Sequence, residues 1–306
     1  IRETRPVCGV CPVMSADAIA ISVAIPTYNR VDDLLESLGK ILACDPRPAE
    51  ILVHIDGDDA VTQAPLENHF PQVKILRSDR QMGPGGGRNK LIAAASHPIV
   101  ACFDDDSYPI DSDYFQRVQT LCDRFPNAAV IGASIYHIDE AIEPDAYAAR
   151  WVADFTGCGC AYRRDAFNST TGYVSLPVAY GMEEVDLNLR LHATGWNILG
   201  SSWLRVFHNT RLEHHNSPKI TAASVANQAL LAFLRYPVPY WWLGAGQTAS
   251  RVLWLLRNKR RDGILRGLRA IPSLTWRHRQ HRQTVSGKAL RSYLYLRRNP
   301  IPIEDL

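Results

Sequence analysis

Short apolar runs and helical apolar spacings alternate along the first part of this chain. Residues 18–25 (AIAISVAI) form a brief β-branched run, the pattern of a strand buried on both faces, and break at the polar loop 26–30, PTYNR. From 32 to 42 the residues Leu34, Leu35, Leu38, Ile41 and Leu42 gather on one helical face behind Asp32 and Asp33, which predicts a helix with acids in its first turn. Asp45-Pro46-Arg47-Pro48 ends it. Residues 50–55 (EILVHI) predict a second strand running into Asp56-Gly57-Asp58-Asp59, and 73–76 a third. A glycine-rich loop at 83–87 (GPGGG), a helix over 88–96 and a fourth strand at 99–103 follow. This alternation is that of a parallel α/β sheet, in which ligands collect at the carboxyl ends of the strands. Polar loops stand at three of those ends: PTYNR, DGDD and DDDS.

The pattern continues with a helix over 113–124, a strand at 128–135 and an irregular region at 138–151. Residues 183–193 (EEVDLNLRLHA) begin with acids and are followed by Gly195, which favours a helix; Asp186 and Arg190, four apart, are set to pair on it. Strands at 196–199 and 203–207 lead to His208. From 222 the character changes to an Ala/Leu-rich helix, a break at 237–242 (PVPYWW), and Arg-rich helical stretches at 249–261 and 263–270. The division expected is a disordered extension (1–17), a catalytic domain (18–215) and a helical, basic C-terminal region (216–306).

Charge sharpens that division. Residues 1–250 carry 20 Lys/Arg against 28 Asp/Glu, whereas 251–306 carry 14 against 3. An acidic body with a basic tail places chemistry in the body and an anionic partner at the tail. Aromatic and Arg-rich amphipathic stretches between 240 and 300 suit an anionic membrane surface rather than nucleic acid; a solvated helical subdomain is the plainer alternative. No run of 18 apolar residues occurs, so a peripheral rather than a spanning association is expected. The 7 cysteines make no disulfide framework, which points to a reducing, cytoplasmic setting, and the lone Cys8-Gly-Val-Cys11 has no completing pair.

The chemistry centres on Phe103-Asp104-Asp105-Asp106-Ser107, where a buried strand runs into three consecutive carboxylates. Like charges this close repel, and burial makes them costlier unless a cation is present. Mg²⁺ or Mn²⁺ accepts hard oxygen ligands and leaves positions open for phosphate. Asp104 and Asp106, alternate residues at an extended strand end, should project the same way and share such an ion.

In order, VAIPTYNR, the strand ending in DG, GPGGGRN, FDDDS, the RRxxF segment and EEVDLNLR resemble the inverting family 2 glycosyltransferases of the GT-A fold, over roughly residues 20–210. A His followed by an Ala/Leu helix ending in Tyr-Pro is similar to bacterial members that build cell-surface polysaccharides. The resemblance implies a doubly wound mixed sheet with helices on both faces and a helical C-terminal extension. It implies metal-dependent transfer from a nucleotide-diphosphate sugar to a glycan or lipid-linked hydroxyl acceptor. By position, Pro26, Thr27, Asn29 and Arg30 would line the nucleoside, Asp56 the base and Arg88 the diphosphate, with Gly85–Gly87 admitting a close approach. Asp104 and Asp106, with His208 as a further ligand, would hold the metal, and Asp105 would face the donor sugar or serve the structure. His214 and His215 are further candidates. Glu184 matches the family's base position, where Asp is usual, and Glu183 is second. Gly157, Cys158 and Trp151 would border the acceptor.

Three other readings compete. A sugar nucleotidyltransferase would carry a basic Gly-rich loop after the first strand, where PTYNR stands. A haloacid-dehalogenase-type phosphatase would end its first strand in DxD, not its fourth. A non-catalytic nucleotide-sugar binder has no need of acids at 104, 106 and 184.

Overall fold

A computed structural model describes residues 18–176, 178, 180–210 and 217–303. The Cys8/Cys11 motif, the expected extension 1–17, and His214 and His215 lie outside these residues. Four parallel strands form one half of the sheet: β1 (Ile19–Thr27), β2 (Pro48–Ile55), β3 (Lys74–Arg77) and β4 (Ile99–Phe103). Their β-branched, fully apolar runs need cover on both faces. Helices α1 (Val31–Leu42) and α4 (Tyr114–Arg124) cover one face, where Leu34, Leu38, Phe115 and Val118 pack on Ile21, Val23 and Val53. Helices α3 (Gly83–Ala94) and α6 (Glu183–Ala193) cover the other, where Leu91, Leu187 and Leu191 meet Leu52, Val100 and Cys102.

The sheet is mixed, not purely parallel. β8 (Gly159–Arg163) lies antiparallel between β4 and β6 (Ala128–His137), and β9 (Asn197–His208) runs parallel to β6. The two strands expected over 196–207 are one strand, whose pairing with β6 slips between Ala133 and Ser134. The region read as irregular contains β7 (Ala149–Val152), antiparallel to β9. A short β5 (Ser107–Pro109) leaves the main order to pair with the far end of β9. α2 (Gln63–His69) and α5 (Arg164–Asn168) are short helices that the periodicity did not reveal.

The GPGGG stretch is not a loop but the first turn and a half of α3, begun by Gly83 and Pro84. Proline is well placed there because the first amides of a helix have no intrahelical partner. The glycines are required by close packing. A Cβ on Gly85 would collide with the Glu183 carboxylate, and one on Gly87 would lie 2.7 Å from His54 Nδ1. They admit neighbouring side chains at close range.

The C-terminal region comprises α7 (Pro218–Arg235), α8 (Trp241–Arg257), α9 (Ile264–Arg277) and α10 (Gly287–Arg298). The aromatic pair Trp241-Trp242 opens α8 and is not part of the break. The region is not only helical: β10 (Ile301–Ile303) returns to pair with β7 and adds an edge strand to the sheet. Among the described residues no helix is long and apolar enough to cross a membrane.

Candidate active site

The acid triplet leaves β4 through a tight turn. The Ser107 amide donates to the Asp104 carbonyl at 3.1 Å, the Asp104 amide donates to Ser107 Oγ at 2.8 Å, and Ser107 Oγ donates to the Cys158 carbonyl at 2.8 Å. The extended geometry expected for Asp104 and Asp106 is therefore absent, and the two carboxylates take different arginine partners. Asp104 takes a close ion pair from Arg88 Nη2. Asp105 and Asp106 share Arg30, whose Nη1 and Nη2 reach them at 3.0 and 2.8 Å. Thr27 Oγ1 donates to Asp105 at 2.9 Å. Burial pushes the Asp105 carboxyl up to about 7 against the pull of Arg30, while the Asp106 and Asp104 charges add to the rise.

His208 arrives through strand register. β5 pairs with β9 so that Ser107 faces His208, and the Asn209 amide donates to the Asp106 carbonyl at 2.8 Å. His208 Nε2 then stands 3.1 Å from Asp106 Oδ1, and Nδ1 stands 3.7 Å from Cys158 Sγ. Burial works against the charge of both partners. Even so, His208 and then Arg30 hold Asp106 below the usual carboxylate range, and Asp106 raises His208. Asp106 Oδ1 is buried, yet it accepts no aligned hydrogen bond among the described residues. The contact with His208 is thus charge proximity rather than a formed hydrogen bond.

A buried carboxylate oxygen without a hydrogen bond, beside an imidazole, suits a divalent cation. One donor atom each from Asp104, Cys158 and His208 also lie within 4.8 Å of one another. Burial keeps the Cys158 thiol protonated by raising it well above its ordinary value, so oxygen and imidazole are the better donors to a hard ion.

Two cavities meet at this turn. The first, about 350 Å³, is lined by Pro26, Thr27, Arg30, Asp56 and all three acids. The second, about 470 Å³, is lined by Arg88, Gly157, Cys158, Glu183 and Glu184. Asp104 and His208 belong to both, so Asp106 and Glu184 open into different but adjoining cavities.

Several expected binding residues are already engaged. Both Asp56 oxygens accept from the Met82 amide at 2.9 and 3.1 Å, and one also accepts from the Gly83 amide at 2.9 Å, so the carboxylate caps α3 at the cavity wall. Asn29 does not line the cavity: it holds a turn at φ 56°, and its amide donates to Asp59 at 2.7 Å. Arg88 is buried, pairs with Asp104 and donates to the Gly157 carbonyl at 3.2 Å. Arg30, with 42% of its side chain exposed, is the more accessible cation. Trp151 packs edge-on against Phe125 and lines neither cavity.

Glu183 and Glu184 occupy the first turn of α6. Glu183 Oε1 accepts from the Gly85 amide at 3.0 Å, and Oε2 lies 3.9 Å from Arg88. Burial and then the Glu184 charge push Glu183 up to about 8, while burial raises Glu184 against the pull of Arg88. A Cβ on Gly157 would collide with Glu184 Oε1, which places that carboxylate against the β8 approach. Sequence reasoning missed Tyr28 and Gln81 in the first cavity and His137, Phe155 and Tyr180 in the second. Only Tyr28, inside PTYNR, carried a local signal. His137 is brought in by its register opposite His208.

Residues 22–170 match the family described as Glycosyl transferase family 2. The succinoglycan biosynthesis protein ExoO of Rhizobium meliloti is 30% identical over 87 residues, which is 28% of this chain and 25% of that protein. The chain spans about a quarter of the length of the curated relatives it matches. Among solved structures, the mannosyltransferase PcManGT from Pyrobaculum calidifontis, in complex with GDP-Man and Mn²⁺, aligns at a TM-score of 0.58 and 14% identity. That alignment covers 92% of this chain and 80% of that one. S. aureus TarS 1-349 with UDP-GlcNAc aligns at 0.54 and 15%, covering 85% and 91%.

Proposed function

The chain carries a Glycosyl transferase family 2 domain on a GT-A fold, and from that premise we propose that it is a metal-dependent inverting glycosyltransferase. It moves a sugar from a nucleotide-diphosphate donor to a hydroxyl of a glycan or lipid-linked acceptor in cell-surface polysaccharide or glycolipid synthesis. The observation that carries this reading is the junction of the two cavities at Asp104 and His208, with Arg30 and the acids on one side and the two glutamates on the other. A donor lying across that junction has its nucleotide in the first cavity and its sugar toward the second.

Asp104, Asp106 and His208 would hold Mn²⁺ or Mg²⁺, which when bound supplies positive charge to the departing diphosphate. Arg30 is placed to add a planar cation to the same phosphates. Arg88, held between Asp104 and the Gly157 carbonyl, also lines the second cavity, where it positions the acids and reaches toward the diphosphate.

Glu184 is the base. Both glutamates line the second cavity within reach of the Arg88 charge, but Glu183 accepts from the Gly85 amide of α3, which leaves Glu184 for the acceptor hydroxyl. It takes the acceptor hydroxyl proton as that oxygen bonds to the anomeric carbon. The glycosidic bond electrons leave with the nucleoside diphosphate, and the configuration inverts. The protein works at the inner face of the plasma membrane, which the basic surface of residues 240–300 meets.

The experiment is a thermal-shift panel of nucleotide sugars with and without Mn²⁺, followed by turnover of the best donor. One donor should raise the melting temperature only with the metal. A metal-independent shift with equal turnover in chelator would overturn the metal-dependent reading. Incorporation of nucleoside monophosphate would favour the nucleotidyltransferase instead.

A further inference from the structure

The C-terminal helices enclose an apolar groove of about 810 Å³ that the transfer reaction does not use. Phe233 of α7 stands in its floor, Trp241 and Leu253 of α8 form one wall, and Leu268 and Ile271 of α9 form the other. Its lining hydroxyls are already bonded: Thr248 Oγ1 donates to the Gly244 carbonyl at 3.0 Å and Thr275 Oγ1 to the Ile271 carbonyl at 2.8 Å. An extended peptide laid here would find no side-chain partner for its backbone, and each polar group so buried is costly. A hydrocarbon chain has no such requirement.

The rim is cationic and aromatic. Arg282 stacks over the groove residues Phe233 and Trp241 at 5.0 and 5.2 Å, and its Nη1 is buried without a hydrogen-bond partner among the described residues. Beside the lining residue Thr275, at the end of α9, Arg279 stacks on Trp276 at 4.0 Å. Around these, Trp242 is 71% exposed and Trp276 68%. Against 14 Lys/Arg, residues 251–306 offer only 3 acids, so a second copy of the same surface would be repelled.

We propose that this groove seats a hydrocarbon chain of an anionic phospholipid from the bilayer, with Arg282 on the lipid phosphate. The inference rests on the reading that the basic C-terminal region meets an anionic membrane, and adds that one lipid chain leaves the bilayer plane to enter the protein. Trp242 and Trp276 then lie at head-group level, where amphipathic rings are favoured.

The test is co-sedimentation of the full chain with vesicles of phosphatidylcholine, with and without phosphatidylglycerol. Its key variant is Ala249→Phe, which fills the groove from an exposed lining position while adding apolar surface to the same face. Binding should require phosphatidylglycerol. Ala249→Phe should weaken it about tenfold, because about two methylenes lose their seat. Arg282→Gln should weaken it roughly fivefold, the factor that one cation near the surface supplies. Bromine on the lipid chains should quench tryptophan emission in the parent chain and less in Ala249→Phe. If Ala249→Phe binds as tightly as the parent or more so, the face adsorbs by surface contact and the groove proposal falls, while the membrane reading stands. If the parent ignores phosphatidylglycerol vesicles, the membrane reading falls and the groove with it. A lipid-free dimer that Ala249→Phe dissociates would make the occupant a second copy and overturn the proposal.

Discussion

Asp106 lies 2.8 Å from Arg30 and 3.1 Å from His208, yet its Oδ1 accepts no aligned hydrogen bond among the described residues. Asp106→Ala should abolish Mn²⁺-dependent donor binding, read by calorimetry, together with turnover; retained metal-dependent activity would remove it from the site. Glu184→Gln should keep donor affinity and lower kcat roughly 10²-fold or more, as expected for loss of a general base. That pattern in Glu183→Gln instead would transfer the role to its neighbour. Glu183 also makes a prediction about stability. Its folded value of about 8 lies above the ordinary 4.5, so the stability it contributes is full below that ordinary value and is lost as pH rises through about 8. Glu183→Gln keeps an oxygen for the Gly85 amide and has no charge to bury. Its melting temperature should gain on the parent's steadily between about pH 5 and about pH 8 and level off above that. A constant difference would show that Glu183 is not buried as an acid.

At the scale of elements, the glutamates depend on how α6 is anchored. Asp186, one turn on from them, accepts from Arg190 on its own helix and from Arg235 on α7. Arg235 in turn donates to the His281 and Gln283 carbonyls at 2.8 and 3.3 Å. The spacing of Asp186 and Arg190 disclosed their pair; Arg235, distant in sequence, could not be foreseen. Arg235→Ala leaves a buried carboxylate short of a cation and two carbonyls short of a donor. It should cost about 3–5 kcal/mol in denaturant unfolding; a loss below about 1 kcal/mol would show that solvent reaches the pair. The GPGGG stretch shows where local reading misleads. Glycine and proline ordinarily mark a loop, yet here they start a helix, because a side chain at 85 or 87 would collide with Glu183 or His54.

Across the whole molecule, the C-terminal region is a structural partner of the catalytic sheet as well as a candidate membrane face. β10 pairs with β7, Tyr293 donates to Asp154, and Arg297 reaches Asp154 at 2.7 Å. Asn227 of α7 donates to the Val178 and Tyr180 carbonyls at 2.9 and 3.2 Å, and Val178 and Tyr180 line the second cavity. Truncation after Tyr240 should therefore lower the melting temperature and weaken donor binding along with vesicle binding. A truncated chain that keeps both stability and donor affinity would show the region to be a detachable module. Point variants at Ala249 and Arg282 are consequently the cleaner probes of membrane contact.

Periodicity and local chemistry in the sequence determined the strand–helix alternation, the acid cluster closing the fourth strand, the paired glutamates opening a helix and the basic tail. Each is written in residues close together along the chain, where repeat spacing and like charge can be read directly. Tertiary structure decided the antiparallel insertion of β8, the turn that carries Asp104 to Asp106, and the register that sets His208 against Asp106. It also decided the capping of α3 by Asp56 and the burial of Arg88 between Asp104 and Gly157. These depend on contacts between residues far apart in sequence, and long-range pairing and burial leave no period in the chain to read.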